Sequence, residues 1–309
     1  MLNPIHLRTL QECVRTGSFA EAARALGYTA SAVSQQMMLL ERSVGAPLFE
    51  RSARSVRSTA VGELLAVRSR DALGALHQLE REVRAMVVGD QGRLRIGSFA
   101  TANARVLPAA LAAVVADRPG AEVHLDEGEP DEVLAGVLDA TLDAAVVFEY
   151  DLDPRSWPAE LSRVELLTEV LGLAVSADHR LGDRGEVGIG ELADDPWICT
   201  REDTAGARSL TRLAASANFA PRIVCRSNDY GVIRDLVSRG LGVALLPGLA
   251  IEDGSLRVLR LIGWQPCRRV LALFRPGNTN PLLPLVLEHL TRVSSALPST
   301  VLHETNPRL

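Results

Sequence analysis

An all-α N-terminal quarter leading into an α/β body is the fold class this sequence predicts, on three observations. Residues from Ser18 to Arg51 read as helix, tight break and second helix. From about Thr59 to Val88 a helical pattern runs on without proline. Beyond Gly92, short apolar runs alternate with helical segments, the pattern of an α/β fold.

The N-terminal elements follow in order. Asn3 and Pro4 fit an N-cap and first helical position, and Leu7, Leu10 and Val14 continue at helical spacing. Ser18 and Glu21 predict a capping box for the next helix, which Ala22, Ala23, Ala25 and Leu26 keep small and close-packing. Gly27 and Tyr28 form the break, and Thr29 caps a third helix. There Val33, Met37, Leu40 and Val44 share one face. The opposite face carries Ser31, Ser34, Gln35 and Met38, where a solvated helix normally shows Glu, Lys or Arg. Serine and glutamine exchange hydrogen bonds with bases and phosphates, so this face suits a DNA groove. Pattern alone leaves open an ordinary helical hairpin in an alanine-rich protein. After Leu48 and Phe49, the stretch from Arg51 to Leu64 reads as a short wing. Its Arg51, Arg54 and Arg57 stand among serines with only Glu50 as a nearby acid. Such arginines suit phosphate or a narrow minor groove, although any one alone is equally a solvated surface charge.

The run AARALGYTASAVSQQMMLLERSVGAPLFER resembles the N-terminal signature of LysR-type transcriptional regulators, over about Leu7 to Gly62. The AAR, SAVSQQ, LE and PLFER segments stand in family order and spacing, and the rest of the chain is similar in layout. The resemblance implies a winged helix-turn-helix domain at 1–58 and a linker, or dimerisation, helix at 59–88. It implies a two-lobed α/β effector domain resembling type II periplasmic binding proteins, with chain crossings near residues 160 and 268. Lobe I would take 92–161 and 268–298, lobe II 162–267, and a flexible tail 299–309. Thr29, Ser31, Ser34 and Gln35 would face the major groove, with Arg51 and Arg54 holding phosphate or minor groove. The implied partners are double-stranded promoter DNA, a small-molecule effector, a homodimer through the linker helix, a homotetramer, and RNA polymerase. Ala30 departs from the family, in which a DNA-touching Gln is common, and so do Met38 and Leu39, at positions where polar or basic residues are common. These departures shift weight toward T-methyl contacts and DNA shape.

Composition and charge fit this division. The 309 residues suggest two or three folding units. Residues 1–87 hold 11 Arg against 8 acids (+3), and residues 88–309 hold 22 against 30 (−8), which together make the net −5. A basic DNA reader on an acidic body has this asymmetry. All basic residues other than histidine are arginine, since the chain has no lysine. That bias weakens any claim that a given Arg was chosen over Lys. Met1 to Leu10 lacks the basic-then-apolar form of a signal peptide, and no apolar run approaches the roughly 18 residues of a membrane span. A cytoplasmic protein without membrane contact is expected. Cys13, Cys199, Cys225 and Cys267 are scattered without CxxC spacing, so buried reduced thiols are expected and neither metal nor cofactor.

In the long helix Leu76, Leu79, Val83 and Met86 step by three and four as a coiled-coil seam, extended backward by Ala72 and Leu65 with Ser69 as its weak link. Roughly 28 residues span about 40 Å. Strands are expected at RLRIGS, AEVHLDEG, LDAAVVF, VLGLAVS, PWICT, PRIVCRS, GVALLP and RVLALF, mainly parallel. Helices are expected at Ala104–Ala116, Glu132–Ala140, Ser209–Ala217, Tyr230–Arg239 and Leu282–Val293. In such folds ligands sit between lobes, at strand C-termini and helix N-termini. Ser98, Phe99, Ala100 and Thr101 lie where the first strand meets its helix, a place suited to an anion or to simple capping. Family position adds Glu129, Phe148, Thr200 and Asn228. Small hydroxyl residues are common near the Glu129 position. With Glu127 and Glu149 it predicts an acidic side, and so an effector with a donor or cationic group, such as an amino-acid-like metabolite.

Rival classes use the same cleft. No G-x-S-x-G, H-E-x-x-H or P-loop supports an enzyme, and the glycines at 188 and 190 follow a polar stretch rather than a strand. A cytoplasmic solute-binding protein leaves the N-terminal 90 residues without a role.

Overall fold

The computed structural model describes residues 2–51, 56–88, 92–251 and 256–298. The chain forms two compact units, Met1–Gly89 with Leu138–Thr141, and Asp90–Val137 with Leu142–Leu309.

The first unit is helical. α1 (Pro4–Thr16) is capped by Asn3, whose side chain accepts from the Ile5 N–H. α2 (Phe19–Leu26) starts at Ser18, but only half of the expected capping box forms. The Glu21 N–H reaches the Ser18 hydroxyl at 3.4 Å, while the Ser18 N–H turns to the Thr16 hydroxyl. The Glu21 carboxylate faces Arg24 instead. Gly27, at φ +70°, makes the left-handed turn into Thr29 and α3 (Ala30–Val44). Leu7, Leu10, Cys13, Ala22, Val33, Met37, Leu40 and Leu48 close the core of this unit. A two-stranded wing follows, β1 (Phe49–Arg51) paired antiparallel with β2 (Val56–Ser58).

α4 (Ala60–Val88) is one continuous helix. Thr59 caps it through the Gly62 N–H. Ala66, Ser69 and Leu73 are buried on the inner side, and Gln11 of α1 donates to the Ser69 hydroxyl at 3.0 Å. Ser69 is therefore part of the domain packing and not a link in the seam, and Leu65 is half-buried against the same core. The expected seam residues Leu76, Leu79 and Val83 are exposed, and Val61 and Leu64 are the exposed apolar residues nearer the start of the helix. Nothing is assigned to Met86, whose side chain lies outside the described residues.

The second unit is an α/β body around one long sheet in the order β4-β3-β5-β12-β6-β11-β7, with β10 also on β6. β3 (Arg93–Ser98), β4 (Glu122–Glu127) and β5 (Ala144–Tyr150) run parallel, with α5 (Ala100–Arg105), α6 (Leu107–Asp117) and α7 (Pro130–Leu138) between them. The expected single helix after β3 is thus two helices, broken at Val106. β6 (Ser162–Ser176) is 15 residues long and belongs to both lobes. Its first half pairs with β12 (Cys267–Phe274), and its second half with β10 (Ala244–Pro247) and β11 (Leu256–Leu261). β7 (Glu186–Val187), β8 (Pro196–Cys199) and β9 (Arg222–Arg226) complete the strands, with α8 (Ala205–Ser216) and α9 (Tyr230–Ser238). α10 (Leu283–Ser295) packs back on lobe I. The expectation of mainly parallel strands needs correction, because β12 and β6 run antiparallel to each other and β12 to β5, as two strands crossing between lobes in opposite directions must. The expected tail at 299–309 lies outside the described residues.

Candidate nucleic-acid interface and effector cleft

The outer face of α3 is exposed where the sequence reserves it for DNA. Thr29, Ser31 and Gln35 are exposed and Ser34 is half-buried, with Met38 and Leu39 exposed beside them. The Thr29 hydroxyl accepts the Ala32 N–H at 3.2 Å and lies 3.0 Å from the Ser31 hydroxyl. The helix is held rigidly from behind. Gln36 accepts from the Thr9 hydroxyl of α1 at 2.6 Å. The Glu41 carboxylate accepts the N–H groups of Leu48 and Phe49, tying the start of the wing to α3. Gly62 lets α4 approach closely, since a Cβ there would sit 2.3 Å from the Leu48 carbonyl oxygen. The backbone of Arg51 ends β1 opposite Val56, and Arg57 is exposed on β2. The Arg51 side chain and the whole of Arg54 lie outside the described residues.

In the second unit a cleft of about 930 Å³ opens between the lobes. Phe99, Thr101, Glu129, Phe148, Thr200 and Asn228 all line it. Ser98 does not; its hydroxyl, at the end of β3, is buried and has no hydrogen-bond partner among the described residues. Glu149 is also withdrawn from the cleft, because its carboxylate is bonded to the Trp157 Nε1–H and to Arg269. Glu127, Glu129, Asp131 and Glu132 line the lobe I wall, and Arg201, Arg208 and Arg234 the lobe II wall. Burial, and then the neighbouring Glu132, push the Glu129 carboxyl above the usual range, while the charge of Arg268 pulls it down. Across the cleft, Asn228 accepts the Arg201 N–H at 3.0 Å, and the Thr200 and Thr204 hydroxyls meet at 2.7 Å. Gly206 carries no side chain there because a Cβ would lie 2.9 Å from the Thr200 hydroxyl.

Sequence reasoning missed the floor. Arg268 of β12 and Glu169 of β6 are cross-strand neighbours, and both are fully buried. Arg268 Nε donates to Glu169 Oε1 at 2.5 Å, and Nη2 donates to the Thr101 hydroxyl at 2.8 Å. Glu169 Oε2 accepts the Leu249 N–H. Phe99, Phe148 and Tyr150 surround the guanidinium, their ring centroids 4.9–5.7 Å from its carbon. Burial alone would pull the Arg268 pKa down, but the Glu169 carboxylate holds the guanidinium charged. The one available sequence signal was a charged residue set against each apolar strand run.

A helix-turn-helix reader and a two-lobed body with an open cleft together define the class of DNA-binding transcriptional regulators that carry an effector-binding domain. The model of the bacterial regulatory helix-turn-helix protein, lysR family, matches residues 5–63, and that of the LysR substrate binding domain matches residues 88–295. The chain therefore belongs to the LysR family of transcriptional regulators. It is 32% identical to the regulator IlvR of Caulobacter vibrioides, over 90% of this chain and 94% of that protein. It is 30% identical to the regulator CysB of Burkholderia cenocepacia, over 84% and 83%. Full-length OxyR of Pseudomonas aeruginosa has the same fold, with a TM-score of 0.62 at 20% identity and 99% of each chain covered. CbnR complexed with its target DNA matches with a TM-score of 0.54 at 25% identity, over 94% of this chain and all of that one. Among the described residues no helix is long and apolar enough to cross a membrane.

Proposed function

We propose that this regulator reads promoter DNA with Thr29, Ser31, Ser34 and Gln35 in the major groove and with Arg51 and Arg54 on phosphate or minor groove. Its activity is set by a small effector held by Phe99, Thr101, Glu129, Phe148, Thr200 and Asn228, without catalytic turnover. The effector presents a cationic or donor group to Glu129. The observation that carries this reading is the acidic wall of the cleft, with Glu129 drawn out of solvent beside Glu132. A half-buried carboxylate with a like charge beside it gains most from a cationic partner. The protein works in the cytoplasm as a dimer through the exposed stripe of α4, and two dimers form a tetramer that bends the promoter and meets RNA polymerase. Closure of the lobes on the effector alters the spacing of the DNA readers.

Gel shift on the DNA upstream of the protein's own coding region tests the reader. Gln35→Ala is expected to weaken specific binding by about 1–3 kcal/mol and to leave salt-sensitive nonspecific binding in place. Equal affinity of the variant and the unaltered protein for specific DNA would count against this use of α3.

A further inference from the structure

We infer that Arg268, with Thr101, forms a carboxylate-binding subsite at the floor of the cleft, so that the effector is a small zwitterion held at both ends. The inference rests on the cleft reading above and adds the second end of the ligand.

Arg268 lines the cleft although its side chain is almost wholly buried. Glu169 occupies its Nε edge and Thr101 one N–H of Nη2. Phe99 and Phe148 cover the guanidinium, and Tyr150 flanks it with a hydroxyl that also interacts with its charge. Neither the Glu169 nor the Thr101 bond engages Nη1, which leaves the Nη1–Nη2 end of the fork for an incoming group. A planar carboxylate matches that edge in bidentate fashion. The Thr101 hydroxyl, already turned to Nη2, is placed to donate its own proton to the same oxygen.

The charge pattern decides what else the molecule must carry. Glu127, Glu129 and Glu132 stand on the lobe I wall, where Arg155 already holds Asp131, and Arg201, Arg208 and Arg234 stand on the lobe II wall, so the cleft offers partners to both signs of charge. Glu169 already offsets much of the charge of Arg268, so the floor alone gains little from a lone anion. Glu129 and Arg268 line the same cleft and act on each other electrostatically, with no bond between them among the described residues. A ligand carrying a carboxylate at one end and an ammonium at the other satisfies both. The buried pair also links four parts of the body: Thr101 of lobe I, β12, β6, and the Leu249 N–H of lobe II. A carboxylate on Arg268 therefore acts where the two crossing strands and both lobes meet.

The test follows thermal melting of the full-length protein at constant ionic strength. The probes are the common L-amino acids, each compared with its carboxamide, its decarboxylated amine and the carboxylic acid that lacks the amine. At least one amino acid is expected to raise Tm, while its carboxamide and amine do not. Arg268→Met is expected to remove the response. Because that variant strands Glu169 in the core, Arg268→Met/Glu169→Leu is measured as well; it removes both buried charges, and it is expected to fold and remain unresponsive. Equal protection by the carboxamide, or a response retained in the double variant, overturns the subsite. A response that needs the carboxylate but survives both loss of the amine and Glu129→Gln overturns the Glu129 reading and leaves the subsite standing. No response to any probe in the unaltered protein overturns the zwitterion itself.

Discussion

Single residues in this chain act through where they are buried. Glu129 was legible because it stands at a known position of the family's cleft; of the two acids read with it, Glu127 lines the cleft and Glu149 is held by Trp157 and Arg269. Arg268 and Glu169 were not legible, because 99 positions separate them and only the β12–β6 register brings them together. Ser98 shows the reverse error. Its strand-end position suggests a ligand contact, yet the alternation of side chains along β3 turns its hydroxyl into the core. Glu129 also yields a pH prediction. Its folded pKa is raised by burial and then by Glu132. A raised pKa means that the carboxyl's contribution to stability is full below the unfolded value and is lost as pH rises through the folded one. Glu129→Gln is therefore expected to match the unaltered protein near pH 4 and to melt higher at neutral pH, by no more than about 2 °C. Melting curves across that range check it. A lower melting temperature for the variant at neutral pH would mean that the carboxylate is already stabilised in the free protein.

At the scale of elements, α1 to α4 were readable because capping residues and apolar spacing act locally. Asn3, Thr29 and Gly27 do what their chemistry dictates. The seam of α4 holds at Ala72, Leu76, Leu79 and Val83, which are exposed, and fails only farther back, because tertiary packing turns Ser69 to Gln11. The first half of β6 was overlooked although Ser162 to Glu165 alternate between half-buried and exposed as a strand does, because Arg163, Glu165 and Glu169 break up the apolar run. Close approach explains Gly62, which meets the Leu48 carbonyl where α4 passes the start of the wing. Gly62→Ala sets two effects against each other. Helix propensity favours alanine by about 1 kcal/mol, while a Cβ 2.3 Å from a backbone oxygen forces α4 and the wing apart. The clash is expected to win, with a net loss of about 1–3 kcal/mol in chemical denaturation. A more stable variant would show that the wing yields freely at Leu48.

For the whole molecule, the uneven charge and the two units divide the labour. The N-terminal segment of 87 residues carries +3 and presents an uncharged reading face, and the body of −8 holds the cleft. The layout of a DNA reader, a long helix and an α/β body was legible because each part has its own periodicity. The chemistry of the cleft floor was not, because it arises only where strands from distant parts of the chain cross. The central claim is that occupancy of the cleft changes how the protein sits on DNA. Footprint length and bend angle on the upstream DNA, compared with and without the amino acid that raises Tm, test it most directly. The proposed coupling predicts a shorter or shifted footprint and a changed bend at saturating ligand. Identical footprints and identical bends in both conditions would contradict it.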